Sequence, residues 1–149
     1  MSRRFNIRVY GILIEKESIL VSDEYIKKNR ITKFPGGGME LGEGTIDCLI
    51  REFREELAID VRVKEHFYTT DFYVASAFDP NSQVISIYYL VEQVNPIEIT
   101  GSPIPHDYKA KEGAQSFRWI AWDQLKESDF SLIIDRKVAE LLVKKRRDR

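Results

Sequence analysis

Residues 45–57 (TIDCLIREFREEL) constrain this chain more than any other stretch. Ile46, Leu49, Ile50, Phe53 and Leu57 recur at helical spacing, which predicts a helix docked through one apolar stripe. Gly44 or Thr45 is the expected N-cap, with Asp47 favourably placed in the first turn. Glu52, Glu55 and Glu56 stand at i, i+3 and i+4, so three carboxylates share one face. Like charges at that spacing repel by about 0.2–0.5 kcal/mol per exposed pair, and only Arg51 and Arg54 offer nearby relief. A bound divalent cation relieves the repulsion better. An oxygen-only donor set without His or Cys points to a hard cation, Mg²⁺ or Mn²⁺.

Shortly before this helix, Pro35-Gly36-Gly37-Gly38 reads as a loop. Glycines admit unusual φ and close approach, and a glycine-rich turn entering a helix can present N–H groups to an anion. Gly36, Gly37 and Gly38 are therefore candidate substrate-binding residues, and metal-ready carboxylates beside them suggest phosphate chemistry. Neither feature carries that reading alone. A Glu-rich helix face is usually just solvated, and a Gly-Gly-Gly run is usually just a turn.

The spacing joins the two features. The stretch 37–59 resembles the signature of the Nudix hydrolase family (MutT-like), G-x5-E-x7-R-E-U-x-E-E-x-G-U with U apolar. Five residues separate Gly37 from Glu43, and seven more lead to Arg51-Glu52-Phe53-Arg54-Glu55-Glu56-Leu57, closed by Ile59. Eight of the nine specified positions match over 23 residues, and the wider pattern Pro35-Gly36-Gly37-x-x-Glu40-x-Gly42-Glu43 fits as well. The departure is Ala58 where the pattern has Gly. That glycine ends the helix at a left-handed position, which costs Ala roughly 1–2 kcal/mol.

The resemblance implies that Glu52, Glu55 and Glu56 ligate one or more Mg²⁺ ions that bridge a substrate diphosphate and help generate hydroxide. It implies that Arg51 holds glutamates in position through a paired salt bridge, and that Glu43 braces the loop against the helix rather than ligating directly. Family members often draw a further carboxylate from a loop before the last strand. Glu112, in Lys111-Glu112-Gly113, is the candidate, as fourth ligand or general base, against the plainer reading of a solvated loop residue. Glu52 and Glu112 both stay open as the base.

The rest of the chain fits the implied fold, an α/β/α sandwich with a mixed sheet, the catalytic helix after the glycine-rich loop, and a C-terminal helix. Residues 7–14 and 18–24 read as a hairpin about Glu15-Lys16-Glu17, followed by a short strand over 31–34. Ile59, Val61 and Val63 alternate with polar residues as a half-buried strand, and another covers roughly Tyr68 to Ala75. Residues 84–91 (VISIYYLV) are apolar on both faces and predict a central strand. The stretch 95–114, with three prolines and two glycines, is a long loop of the kind that often carries function. Ser116 to Ile120 is the last strand, Asp123 to Lys126 a short helical turn, and a helix from about Ser131 presents Ile134, Val138, Leu141 and Leu142 on one face. A length of 149 residues suits a single domain over 1–149.

Composition narrows the partners. A net charge of −1 favours neither nucleic acid nor a membrane surface, and the longest apolar runs fall short of a membrane span. One cysteine, Cys48, excludes an internal disulfide and suggests a reducing, cytoplasmic setting; beside the helix it reads as a small packing residue. His106 reads as a surface loop histidine, and Lys144-Lys145-Arg146-Arg147 as complementing the last turn of the C-terminal helix. The implied substrate is a nucleoside diphosphate linked to another moiety, with a nucleoside triphosphate preferred. ADP-ribose, a nucleotide sugar and a dinucleoside polyphosphate are the alternatives. The proline typical of ADP-ribose-cleaving members is absent near Asp71–Ala75, and Tyr73 stands slightly short of the tyrosine of dinucleoside-polyphosphate members. The rival from another class is a Nudix-fold binding or regulatory module without turnover, which usually lacks box glutamates; none is missing here. The resemblance also points to a homodimer.

Overall fold

A computed structural model describes residues 2–148. The chain forms two compact units that interleave in sequence: residues 1–12 with 35–97, and residues 13–34 with 98–149. Strand β1 (Arg4–Glu15) runs through the boundary between them.

In the first unit, β1 lies beside β6 (Ser82–Gln93), which pairs antiparallel with β5 (Val61–Thr69). The expected central strand is therefore present, with Tyr88, Leu90 and Val91 buried. The two strands expected over 59–63 and 68–75 are instead one strand, β5, which ends at Thr69. Its register against β6 slips between Val63 and Glu65 and again between His66 and Tyr68. Each slip is a bulge that breaks the two-residue alternation, so a continuous strand looks like two. Beyond Thr69 only an isolated bridge, Ala75 to Gln83, remains.

The glycine run is not a loop. Gly36–Gly38 is a short strand, β4, pairing antiparallel with β1 through Arg8↔Gly38, Val9↔Gly37 and Tyr10↔Gly36. Low strand propensity predicted otherwise, and a tertiary partner overrides it. Helix α1 (Thr45–Leu57) packs on β4 and β5. Cys48, Leu49 and Phe53 form its buried centre, while Ile46 stays 44% exposed. The helix begins at Gly44, whose N–H donates to Asp47 Oδ2 at 3.0 Å, and Thr45 shares a hydroxyl hydrogen bond of 2.7 Å with Tyr89 on β6.

The helix ends where the family pattern wants glycine. Ala58 sits at φ 55° and ψ 35°, the left-handed exit, with its N–H bonded to the Arg54 carbonyl. Ala58 is exposed, so burial of its methyl group offers little compensation. Ala58→Gly is expected to stabilise the protein by about 1 kcal/mol, the strain relieved less the added freedom of the unfolded chain. Urea unfolding checks this; a midpoint equal to or below that of the wild type contradicts it.

In the second unit, β2 (Ser18–Ile26) pairs on one side with β3 (Asn29–Lys33) and on the other with β7 (Gln115–Ala121), both antiparallel. The tail of β1 completes the hairpin through Ile14↔Ile19. Helix α2 (Ile133–Arg147) buries Ile134, Val138, Ala139 and Leu142. Phe34 stacks on Phe130 with ring centroids 4.5 Å apart, and the Trp122 indole donates to the Leu142 carbonyl at 3.1 Å. One residue of the basic C-terminal run does more than complement the helix end, since the Arg146 guanidinium donates to the carbonyls of Trp122 and Leu125. Among the described residues no helix is long and apolar enough to cross a membrane.

Candidate active site

The site starts from one close approach. Gly37 faces α1 so tightly that a Cβ there would fall 2.6 Å from the Glu52 carboxylate. Gly37 has ordinary φ, so the glycine serves approach rather than a turn. Gly36 serves approach and an unusual backbone angle together: its φ is +147° and a Cβ would meet the Val9 carbonyl oxygen at 2.1 Å. At Gly38 the nearest atom is Arg8 Nη1 at 3.5 Å, an ordinary contact. The backbone groups of this run join the β1 ladder, so what it contributes most visibly is room for Glu52.

Arg51 organises the carboxylates. Its Nε donates to Glu43 Oε2 at 3.0 Å and its Nη2 to Glu43 Oε1 at 2.6 Å, a bidentate pair. The same Nη2 reaches the Gly38 carbonyl at 3.1 Å. Nη1 bridges Glu52 Oε1 at 2.9 Å and Glu55 Oε2 at 3.2 Å. One guanidinium thus ties the loop glutamate, two helix glutamates and β4 together. The Glu43 carboxylate also accepts the Glu40 N–H at 2.8 Å. Cys48 lies fully buried under this assembly, its thiol pointed at the Gly37 and Gly38 carbonyls at 3.9 and 3.6 Å. Burial pushes the thiol up to about 12, so it stays neutral and packs.

The Arg51 hydrogen bonds hold the Glu43 carboxyl down at about 2, against an ordinary 4.5. A folded-state value below the unfolded one means the unfolded chain binds the proton first as pH falls. This contribution is therefore complete above about 4.5 and is lost progressively as pH drops toward 2. Glu43→Gln is expected to flatten the acid limb of the stability profile over that window. Urea midpoints measured from pH 5 to pH 2 check it; parallel profiles for variant and wild type contradict it.

The donor chemistry at this face suits a hard divalent cation: Glu52, Glu55 and Glu56 offer only carboxylate oxygens. Positive charge is already drawn between two of them, in the form of Arg51 Nη1. Among the described residues no three His, Cys, Asp or Glu side chains converge closely enough to hold a metal ion as they stand. Glu52 is fixed, with a side chain 13% exposed, whereas Glu55 is 58% exposed and has room to turn. Glu56 is half-buried on the same helix.

Glu112 belongs to the second unit. Its Oε1 accepts the Lys27 N–H at 2.7 Å, at a β2–β3 turn where Lys27 and Lys28 both take left-handed φ, 46° and 67°. The same unit holds a polar cluster that sequence reasoning missed. Asp23 is fully buried and accepts from Arg118 Nε at 2.6 Å, Thr32 Oγ1 at 2.6 Å and the His106 N–H at 3.1 Å. Burial pushes the Asp23 carboxyl up, but the Arg118, Thr32 and His106 bonds outweigh it and the net direction is down. His106 is itself held: its Nδ1 meets the Tyr108 hydroxyl at 2.7 Å, and burial lowers its basicity. The cluster anchors the long loop to β2, β3 and β7. Residues 23, 32, 106 and 118 share no spacing that could have revealed it.

Comparison with known proteins follows the same lines. The family model described as "NUDIX domain" matches residues 3–142. A NUDIX hydrolase from Nitrosomonas europaea superposes with a TM-score of 0.67 at 17% identity, over 91% of this chain and 86% of that one. A MutT protein from Methanosarcina mazei Go1 superposes with a TM-score of 0.66 at 17% identity, over 98% of both chains. MutT from methicillin-resistant Staphylococcus aureus 252 gives a TM-score of 0.62 at 22% identity, over 97% of this chain and 99% of that one. At these identities the likeness is one of fold, and it matches the expected mixed sheet with a helix after the glycine run and another at the C-terminus. No curated protein matches by sequence.

Proposed function

Because this chain belongs to the NUDIX domain family, we propose that it is a hydrolase cleaving the diphosphate linkage of a nucleoside diphosphate that carries a further group, with a nucleoside triphosphate preferred. The observation that carries this reading is the Arg51 assembly, which joins Glu43 to Glu52 through one guanidinium, with Glu52 set against Gly37 and Glu55 on the same exposed side. In this reading the oxygen of a water bonds to phosphorus, the bridging P–O bond breaks with its electron pair leaving on the departing phosphate, and a carboxylate takes the water's proton.

Glu52, Glu55 and Glu56 would hold a Mg²⁺ or Mn²⁺ ion, which supplies charge neutralisation and a more acidic water when bound. Arg51 and Glu43 keep Glu52 in place. We assign the proton to Glu52, already part of this face. Glu112 we assign to the β2–β3 turn, where its carboxylate is engaged with the Lys27 amide.

The test is product analysis with wild-type protein and Mg²⁺ on nucleoside triphosphates, ADP-ribose, nucleotide sugars and dinucleoside polyphosphates. Release of pyrophosphate and a nucleoside monophosphate, abolished by EDTA, is the expected result. Turnover only of the other three classes moves the substrate assignment. Binding without turnover of any compound supports a regulatory module instead.

A further inference from the structure

Beyond the glutamate face, the first unit carries a groove of about 270 Å³ at the beginning of β1. This lies just below the roughly 300–1,000 Å³ of sites that enclose a whole small ligand, so it suits part of a molecule. Two aromatic rings stand open in it, Phe5 at 63% and Tyr73 at 72% exposure. Arg3 and Arg4 bring positive charge, and Asn81 and Gln83 bring amide donors and acceptors. Arg4 is tied to Asp79 at 2.6 Å, while Arg3 has no ion partner among the described residues. In a chain of net charge −1, open aromatic faces beside an unneutralised arginine match a planar, electron-rich ring on an anionic ligand.

The topology relates the groove to the site. Val9 lies opposite Gly37, which touches Glu52. Phe5 comes four residues earlier on the same alternating face of β1, about 13 Å along the strand. Between them, the Met39 N–H bonds to the Ile7 carbonyl at 2.9 Å, so the loop of residues 39–44 starts beside β1 on the way to the groove. We infer that this groove receives the nucleobase of the substrate, stacked on Phe5 and Tyr73, with Arg3 adding positive charge beside the ring. The inference rests on the nucleotide reading of the site and narrows it: recognition is by ring stacking and charge, which tolerates more than one base.

The experiment is titration of the metal-free full chain with adenosine, guanosine, cytidine and uridine monophosphates, followed by NMR or intrinsic fluorescence. The wild type is compared with Phe5→Ala, Tyr73→Ala and Arg3→Ala. All three positions are exposed, and circular dichroism confirms that the variants fold. At least one monophosphate is expected to bind, and each ring removal to raise its Kd roughly five- to a hundredfold. Arg3→Ala is expected to weaken each monophosphate by a smaller factor than either ring removal. No binding by the wild type, or Kd values within twofold in both ring variants, overturns the groove assignment. Neither result touches the cleavage reading, which the Mg²⁺-dependent product analysis tests separately.

Discussion

Glu52→Gln is expected to lower kcat/KM by at least about 10²-fold, and by as much as 10⁴-fold if its carboxylate takes the proton in the slow step. The side chain is 13% exposed, bonded to Arg51 Nη1 at 2.9 Å and pressed against Gly37, so the amide keeps the volume and loses the charge. That isolates chemistry from packing. Glu112→Gln supplies the contrast: with its carboxylate at the Lys27 turn, it is expected to change kcat/KM by less than about tenfold, against the 10²–10⁴-fold associated with a general base. Steady-state kinetics with saturating Mg²⁺ check both. A large loss in Glu112→Gln with little change in Glu52→Gln reverses the assignment of the base.

The largest effect on stability is expected at Gly36. A Cβ there meets the Val9 carbonyl oxygen at 2.1 Å and the Tyr10 Cα at 2.8 Å, and the φ of +147° is hostile to any L side chain. Both contacts are to backbone in the paired strand, so no rotamer change relieves them. Strain of about 1–3 kcal/mol and a comparable overpacking term put Gly36→Ala roughly 2–5 kcal/mol below the wild type. At about 2–4 °C per kcal/mol for a chain of this size, that is roughly 5–15 °C in Tm. Gly38→Ala is the control. Its nearest neighbour is the end of the Arg8 side chain at 3.5 Å, and it is expected to stay within about 1 kcal/mol of the wild type. Equal melting temperatures for the two variants contradict this account of the glycine run.

What could be read from the sequence was whatever one element contains within itself. Helix α1 was legible because its apolar stripe, its three glutamates and its start at Gly44 all lie within 14 residues. The left-handed geometry at Ala58 was legible only through the resemblance, whose pattern has glycine at that position. Features that need a partner were not. Gly36–Gly38 is a strand only because Arg8–Tyr10 pairs with it, and nothing in three glycines announces a ladder. The unity of β5 was hidden by two bulges against β6. The Ile46 end of the expected stripe is open, while Cys48 shares the buried centre, because burial is set by where β4 and β5 lie. Arg51 was expected to pair with glutamates, and only the structure shows it joining Glu43, Glu52, Glu55 and the Gly38 carbonyl at once.

The glutamate face of α1 is expected to turn a diphosphate over with a divalent cation. The most direct measurement is phosphate or pyrophosphate release from a nucleotide panel across a Mg²⁺ titration, run side by side on the wild type and Glu56→Gln. Wild-type turnover is expected to rise with Mg²⁺ and saturate, with a rate at least about 10²-fold lower in the variant. Equal rates in the two proteins, or wild-type turnover indifferent to Mg²⁺, would contradict it.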